Sequence, residues 1–464
     1  MTATLSTHTE HELADVLTNL RAVHASGRTL PLEWRIKQLE GIERLLAERE
    51  PEIAEALAAD LGRSAVESWL GDVASTHGEV VYARKNLKRW MKRKKQRLPL
   101  NQMPGSGWVQ YEPLGVVLVI GPWNYPVYLS LAPLIAAVAA GNCAVIKPSE
   151  LAPATSALMA RLIPEYVDAE AVVVVEGDGT TTQNLLSLGF DHAFFTGGTE
   201  IGKKIMAGAA ATLTPVTLEL GGKSPVIVTA DADLDIAARR IAWVKLMNSG
   251  QTCIAPDYVL AERSIRDELV DKVVATVAAF RADQAGAGMR IVNERQFDRL
   301  AGYIEATKGT IVTGGETDRV TLTIQPTVIV DPDPDEPGMA DEIFGPILPI
   351  LSVDSVEDAI RFVNGRPKPL ALYVFSKSKA SQTTLVDRIP AGGAVINHVA
   401  LHCLVPSLPF GGVGASGMGA YHGEWGFQAL SHRKSVLSKT FKPDLQIIYP
   451  PYNERAKKIM RRIF

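Results

Sequence analysis

A chain of 464 residues with 46% hydrophobic residues has ample apolar material for two or three packed cores, and a formal net charge of −3 leaves no field for steering a polyanion, which argues against nucleic acid as a partner. Its three cysteines, at positions 143, 253 and 403, are an odd number without metal-ligand spacing. Neither a disulfide framework nor a metal centre is expected, and a reducing, cytoplasmic setting fits best, since MTATLSTHTEHEL has neither the basic start nor the apolar run of a signal peptide.

In chain order, Leu13, Val16, Leu17 and Leu20 fall at i, i+3, i+4 and i+7, and Leu39, Ile42, Leu45 and Leu46 form a second such stripe, so the first ninety residues read as helices. The basic run from Arg84 to Arg97 has Trp90 as its one aromatic and reads as a solvated helix end leading into an extended arm. From Val116 to Ile146 the chain is apolar enough to raise the question of a membrane span. Gly121, Pro122, Asn124, Pro126, Pro133 and Asn142 divide it instead into a strand, a turn and a buried helix. VVLVI at 116–120, CAVIK at 143–147, VVVVEG at 172–177 and HAFFTG at 192–197 alternate with helical segments. Short runs that are apolar throughout are buried on both faces, so a parallel sheet in a doubly wound α/β layer is predicted, with ligands beyond the carboxyl ends of its strands. A second α/β region begins near LELGGKSPVIV, with a strand at Pro225 to Val228, and runs to about position 420; DPDPDEPG at 331–338 is its clearest exposed loop. In the terminal RAKKIMRRIF, Arg455, Lys457, Lys458, Arg461 and Arg462 alternate with apolar residues, and a frayed or docked basic tail is expected, with weak contact to an anionic membrane surface as the alternative.

Five strand-end and loop segments carry residues suited to chemistry. In VLVIGPWNYP, Gly121 and Pro122 end a buried strand and leave Trp123, Asn124 and Tyr125 at its edge, where the Asn124 amide fits either a turn or a neutral oxyanion donor. Lys147 of VIKPSE, with Glu150 three residues on, fits either a strand-ending lysine or a partner for ribose hydroxyls or phosphate. In FFTGGTEIGKKI, Gly197, Gly198 and Gly202 allow backbone N–H groups and a helix start to approach a pyrophosphate, although the spacing is not GxGxxG. Glu219, between Leu218 and Leu220, is a carboxylate on an apolar strand, to be either salt-bridged or kept for proton transfer. Cys253, in NSGQTCIAPD, is approached by the polar Gly250, Gln251 and Thr252 and fits either an inert packed thiol or a nucleophile.

Taken together and in this order, PWNYP, FTGGTEIG, LELGGKSP, GQTCIAPD, EIFGP and PFGGVGASGMGAYHG resemble the signature segments of the NAD(P)-dependent aldehyde dehydrogenase superfamily. KPSE, the short amino-terminal region and the last of these segments are most similar to its class 3 branch, which includes fatty and aromatic aldehyde enzymes. The resemblance implies two doubly wound α/β domains, coenzyme-binding over 1–97 and 113–218 and catalytic over 219–424, with a small β oligomerisation arm and tail over 98–112 and 425–464, assembled as a homodimer. It implies that Cys253 attacks the aldehyde carbonyl, that the Asn124 side chain and the Cys253 N–H hold the oxyanion, and that Glu219 activates the water hydrolysing the thioester to a carboxylic acid. NAD is the expected coenzyme, with NADP as the second candidate: Trp123, Lys147, Glu150 and the turn of Gly197, Gly198, Thr199 and Gly202 would line its adenosine and pyrophosphate site, and Glu342 and Phe344 would hold the nicotinamide ribose and ring. Tyr125, Trp243, Met247 and Thr252 would form an apolar pocket for a medium- or long-chain aliphatic or an aromatic aldehyde. The segment NHVALHCLVPSLPFGG departs from the class 3 pattern in what reads as added length, with His402 expected at the surface or behind the pocket wall. A non-catalytic binding protein on the same scaffold would be expected to have lost Cys253, Glu219 or Asn124, and a coenzyme-free thiol esterase would leave the Gly197 turn and EIFGP without purpose.

Overall fold

The first leucine stripe becomes the buried face of helix Glu10–Ala25, whose start is closed by a reciprocal capping box between Thr9 and Glu12. This computed structural model describes residues 9–282 and 289–463. Helix Leu32–Glu48 buries the second stripe, and helix Tyr128–Ala140 is buried along its whole length. The apolar 116–146 region is therefore strand, helix and strand, and among the described residues no helix is long and apolar enough to cross a membrane.

The uniformly apolar runs form one six-stranded sheet, in the spatial order Gly417–Met418, Val216–Glu219, His192–Thr196, Val116–Ile120, Cys143–Lys147, Val172–Val174, parallel except for the Gly417–Met418 edge. Successive connections from Val116–Ile120 run first one way and then the other. The reversal lies between this strand and His192–Thr196, and it opens a crevice at their carboxyl ends, where ligands of such sheets bind. A seven-stranded sheet follows, ordered Thr310–Thr313, Thr327–Val330, Ile347–Val353, Tyr258–Glu262, Pro225–Val228, Ala371–Phe375, Gly393–Ile396, with only the first pairing antiparallel. Lys94–Gln96, Gly105–Pro113 and Ser431–Lys439 form a separate antiparallel sheet, the last two paired from Ser431 with Pro113 to Lys439 with Gly105.

DPDPDEPG is not the open loop that its composition predicts. Pro332, Glu336 and Gly338 are buried, and the short helix Pro337–Ala340 starts inside the segment. The reason is Glu336, whose carboxylate accepts from Thr307 Oγ1 at 2.7 Å and from the backbone N–H groups of Lys308 and Asp333. At the other end of the chain, helix Glu454–Ile463 buries Ala456 and exposes its five basic side chains, so the tail is a formed helix.

Candidate active site

Cys253 follows a backbone that few residues tolerate. Helix Leu234–Leu246 passes into a turn in which Asn248 and Ser249 both have φ of 51°, the left-handed region, a conformation that persists only where surrounding structure enforces it. Here the enforcement is a buried hydrogen-bond network. Asn248 Oδ1 accepts from Arg63 Nε at 3.1 Å, and its Nδ2 donates to the carbonyls of Asn124 at 3.0 Å and Gln251 at 2.9 Å. Gln251 donates back to Asn248 and to Arg290. Arg63 is paired with the buried Asp72 and donates to the Asn124 carbonyl, while Asp72 also accepts from the backbone N–H groups of Val127 and Tyr128 at 3.0 and 2.8 Å, beside the start of helix Tyr128–Ala140. Asn124 is thus held by its carbonyl from one side and by its amide from the other, Nδ2 donating to Gln251 O at 3.1 Å, two residues before Cys253. Its amide is thereby tied to the loop that carries Cys253.

The cavity, counted together with its open mouth, spans about 910 Å³ and is almost wholly apolar. Cys253 and Glu219 both line it, as do all four expected pocket residues, Tyr125, Trp243, Met247 and Thr252. Tyr125 is fixed by its hydroxyl, 2.8 Å from Thr252 Oγ1, and by the Arg63 guanidinium over its ring. Both carboxylate oxygens of Glu219 are buried without a hydrogen-bond partner, so of the two readings of this residue the salt bridge is excluded. Burial pushes its carboxyl well above the ordinary range. Burial also pushes the half-buried Cys253 thiol up, with the charges of Glu342, Cys403 and Glu219 adding to the effect, so the resting thiol is protonated.

Of the other expected residues, Trp123, Lys147 and Gly198 lie at or just beyond the carboxyl ends of Val116–Ile120, Cys143–Lys147 and His192–Thr196. Lys147 is buried and its Nζ lies 2.7 Å from Glu150 Oε2. Gly198 caps helix Thr199–Ala210 with no side-chain acceptor, and the space where its side chain would stand is open, so the helix start is free to face an anion. Gly202 lies one turn in, where a side chain would strike Leu220; its role in the structure is close helix packing. The Trp123 and Phe344 rings meet edge to face with centroids 5.4 Å apart, and Phe344 has φ of 50°. Glu342 stands against Gly221, where any side chain would collide with its carboxylate, and burial, aided by Asp257, pushes it up to about 8.

The cavity wall also takes in residues that the sequence does not single out, among them Tyr128, Phe410 and His422. Tyr128 Oη lies 3.0 Å from Nε2 of His422, a buried residue with φ of 79° whose ring stacks on Phe410; burial lowers it to about 3, so the ring is neutral. His402 is not at the surface. It is half-buried behind the wall, its ring against Phe410 and Tyr373, neutral because burial lowers it to about 4, and neither ring nitrogen has a partner. Cys403 does reach the cavity. Behind His422, the buried Glu79 accepts from the Gly423 N–H at 2.5 Å and is pushed by burial from 4.5 to about 7. A carboxyl raised on folding stabilises fully below its unfolded value, and that stability is lost as pH rises from about 4.5 through 7, on the order of 3 kcal/mol in all. Glu79→Gln keeps an acceptor for Gly423 and removes this loss. Calorimetry should find the variant's melting point near wild type at pH 5 and above it at pH 8; a lower melting point at pH 8 would contradict the assignment.

An unpaired carboxyl and a thiol lining one cavity, beside the crevice of a doubly wound sheet, are the parts of an α/β enzyme's site. The chain belongs to the aldehyde dehydrogenase family, whose family model matches residues 1–436. It is 47% identical to aldehyde dehydrogenase family 3 member A2 of Rattus norvegicus over 440 residues, 94% of this chain and 90% of that protein. It is 45% identical to the dimeric NADP-preferring aldehyde dehydrogenase of Rattus norvegicus over 431 residues, 92% of this chain and 95% of that one. The solved structure described as the substrate-bound state of Staphylococcus aureus AldH matches with a TM-score of 0.93 at 40% identity, covering 97% of this chain and 99% of the other. The protein is an NAD(P)-dependent aldehyde dehydrogenase, similar to family 3.

Proposed function

We propose that the protein is a cytoplasmic homodimer that oxidises medium- or long-chain aliphatic or aromatic aldehydes to carboxylic acids, with Cys253 as nucleophile, Glu219 as general base and Asn124 as oxyanion donor. The observation that carries this reading is the meeting of Cys253 with an unpaired Glu219 in a single apolar cavity of about 910 Å³.

In this reading the Cys253 sulfur, once its proton has left, adds to the aldehyde carbon. The oxyanion of the resulting thiohemiacetal is stabilised by the Asn124 amide, which the Arg63–Asp72–Asn248 network holds in place, and by the Cys253 N–H. Loss of hydride leaves a thioester on Cys253. Water entering beside Glu219 hydrates the carboxyl, returns it toward its ordinary range, and gives up a proton to it while attacking the thioester.

The crevice fits a dinucleotide on the chain's own geometry: the uncapped helix start at Gly198 suits a pyrophosphate, and the Lys147–Glu150 pair offers a donor and acceptors for ribose hydroxyls. Trp123, Thr199, Glu342 and Phe344 would complete the site. When bound, NAD or NADP supplies the hydride acceptor. A carboxylate at Glu150 accepts ribose hydroxyls and repels a 2′-phosphate, which favours NAD.

Support for the dimer comes from the relative described as dimeric and from strand Ser431–Lys439, which stands at the edge of its sheet with Leu437 exposed; sedimentation as a monomer would contradict it. Asn124→Ala should lower kcat by roughly 10²- to 10³-fold with little change in coenzyme KM, the cost typical of one oxyanion donor; an unchanged kcat would remove the amide from that role. The reading as a whole is tested by absorbance of the reduced nicotinamide across aliphatic and aromatic aldehydes, with NAD and separately NADP and without coenzyme A. Reduction is expected, fastest with apolar aldehydes and NAD, and Glu150→Gln should raise the NADP to NAD ratio of kcat/KM. No reduction with any aldehyde would contradict the proposal.

A further inference from the structure

Three buried side chains form a row across the carboxyl end of the six-stranded sheet, and none has a hydrogen-bond partner. Thr196 and Glu219 are register partners on adjacent parallel strands, so their side chains project from the same face, roughly 5 Å apart at the backbone. On the other side of Thr196, one residue beyond the paired Ile120 and Phe195, stands Gly121, and the Ser130 hydroxyl occupies the space where a Gly121 side chain would lie. Ser130 Oγ, Thr196 Oγ1 and both carboxylate oxygens of Glu219 are buried and unpaired. Thr196 and Glu219 also line the cavity that holds Cys253.

Buried hydroxyls and carboxylates in folded proteins are paired, with protein or with ordered water. The orphaned oxygens of Thr196 and Glu219 at the cavity wall, and of Ser130 behind them, therefore mark water positions. We propose that Thr196 is a positioning residue for the hydrolytic water: the water donates one hydrogen to Glu219 and accepts from the Thr196 hydroxyl, while Ser130 anchors a second water behind them. The inference rests on the reading of Glu219 as general base. With both anchors in place, the remaining lone pair of the water is directed at the thioester carbon. As the new C–O bond forms, the water's proton passes to Glu219; the C–S bond then breaks, Cys253 leaves as thiolate, and the proton returns to it from Glu219 as the carboxylic acid departs. Without the hydroxyl the water keeps one anchor and loses its orientation, so deacylation slows while the earlier steps do not.

The test compares Thr196→Val, which removes the hydroxyl at nearly constant shape, with Thr196→Ser, which keeps it, using stopped-flow reduction of NAD by the full-length protein with a saturating apolar aldehyde. T196V should show a burst at the wild-type rate, a steady state slower by about tenfold, a larger solvent deuterium isotope effect on that steady state, and coenzyme KM within about twofold of wild type. Hydroxylamine, a nucleophile that does not need the water site, should restore its turnover, and T196S should turn over near the wild-type rate. Because Thr196 Oγ1 has no protein partner to lose, T196V should melt no lower than wild type. Ser130→Ala, which lies outside the cavity wall, should carry the same signature at about threefold. A wild-type steady state in T196V overturns the proposal, as does an equal loss in T196V and T196S or a burst slowed as much as the steady state. Glu219→Gln in the same instrument separates the two readings: if it shows a burst and stalls while T196V does not slow, only the positioning role fails, and if it shows no burst-and-stall, the base reading fails first.

Discussion

Cys253→Ser is expected to lower aldehyde oxidation by about 10³-fold or more while coenzyme affinity stays at the wild-type value. The thiol sits in an almost wholly apolar cavity, and a serine hydroxyl there is a far weaker nucleophile with a much higher pKa. The proposed coenzyme contacts, by contrast, lie at the strand ends around Lys147 and Gly198, away from the substituted atom. Steady-state turnover and a fluorescence titration with NAD check the two halves separately. Near-normal turnover would refute the covalent scheme, and lost coenzyme binding would show that the substitution acts on structure rather than on the nucleophile.

The second large effect belongs to Glu219. Glu219→Gln should leave the first turnover nearly intact and slow the steady state by roughly 10²- to 10⁴-fold, the span of a lost general base, so that NADH appears in a burst and then stalls. The same variant should be more stable than wild type at neutral and higher pH. Burial raises the folded-state pKa, so the carboxyl's contribution to stability is present below its unfolded value and is lost as pH rises toward the folded one; a neutral amide of the same size escapes that loss. An unchanged steady state would remove Glu219 from the base role, and a lower melting point at pH 8 would show that its burial is compensated by a partner.

Much of this was legible in the sequence because the informative residues carry local signals. Runs such as VVLVI and HAFFTG become central strands since an unbroken β-branched and aromatic run suits burial on both faces. Glycines beside a strand end and a cysteine approached by a polar loop single out Gly198 and Cys253 as candidates, while the choice between a packed thiol and a nucleophile rests on the resemblance and not on the local residues. What the sequence hid is what holds these groups in place. Arg63, Asp72, Asn124 and Asn248 converge from positions up to 185 residues apart, and a buried arginine has no local pattern that distinguishes it from a surface one. His402 reads as a polar residue in a loop, yet neighbouring aromatic rings take it behind the cavity wall as a neutral ring. DPDPDEPG reads as exposed on composition alone, and the outcome turned on a single carboxylate, Glu336, that found three donors. Pairing of Thr196 with Glu219 across two strands is likewise a matter of register, which hydrophobic pattern alone does not set when both strands are apolar throughout.

The central claim is that the acyl group passes through Cys253 and waits there for Glu219. Its most direct test is the mass of the Glu219→Gln protein quenched in acid during the stall, after mixing with NAD and an aldehyde, followed by peptide mapping. A mass gain equal to one acyl group is expected, confined to the peptide carrying Cys253 and removed by hydroxylamine. An unmodified protein during a genuine stall, or an acyl group on Cys403 or any other residue, would contradict it.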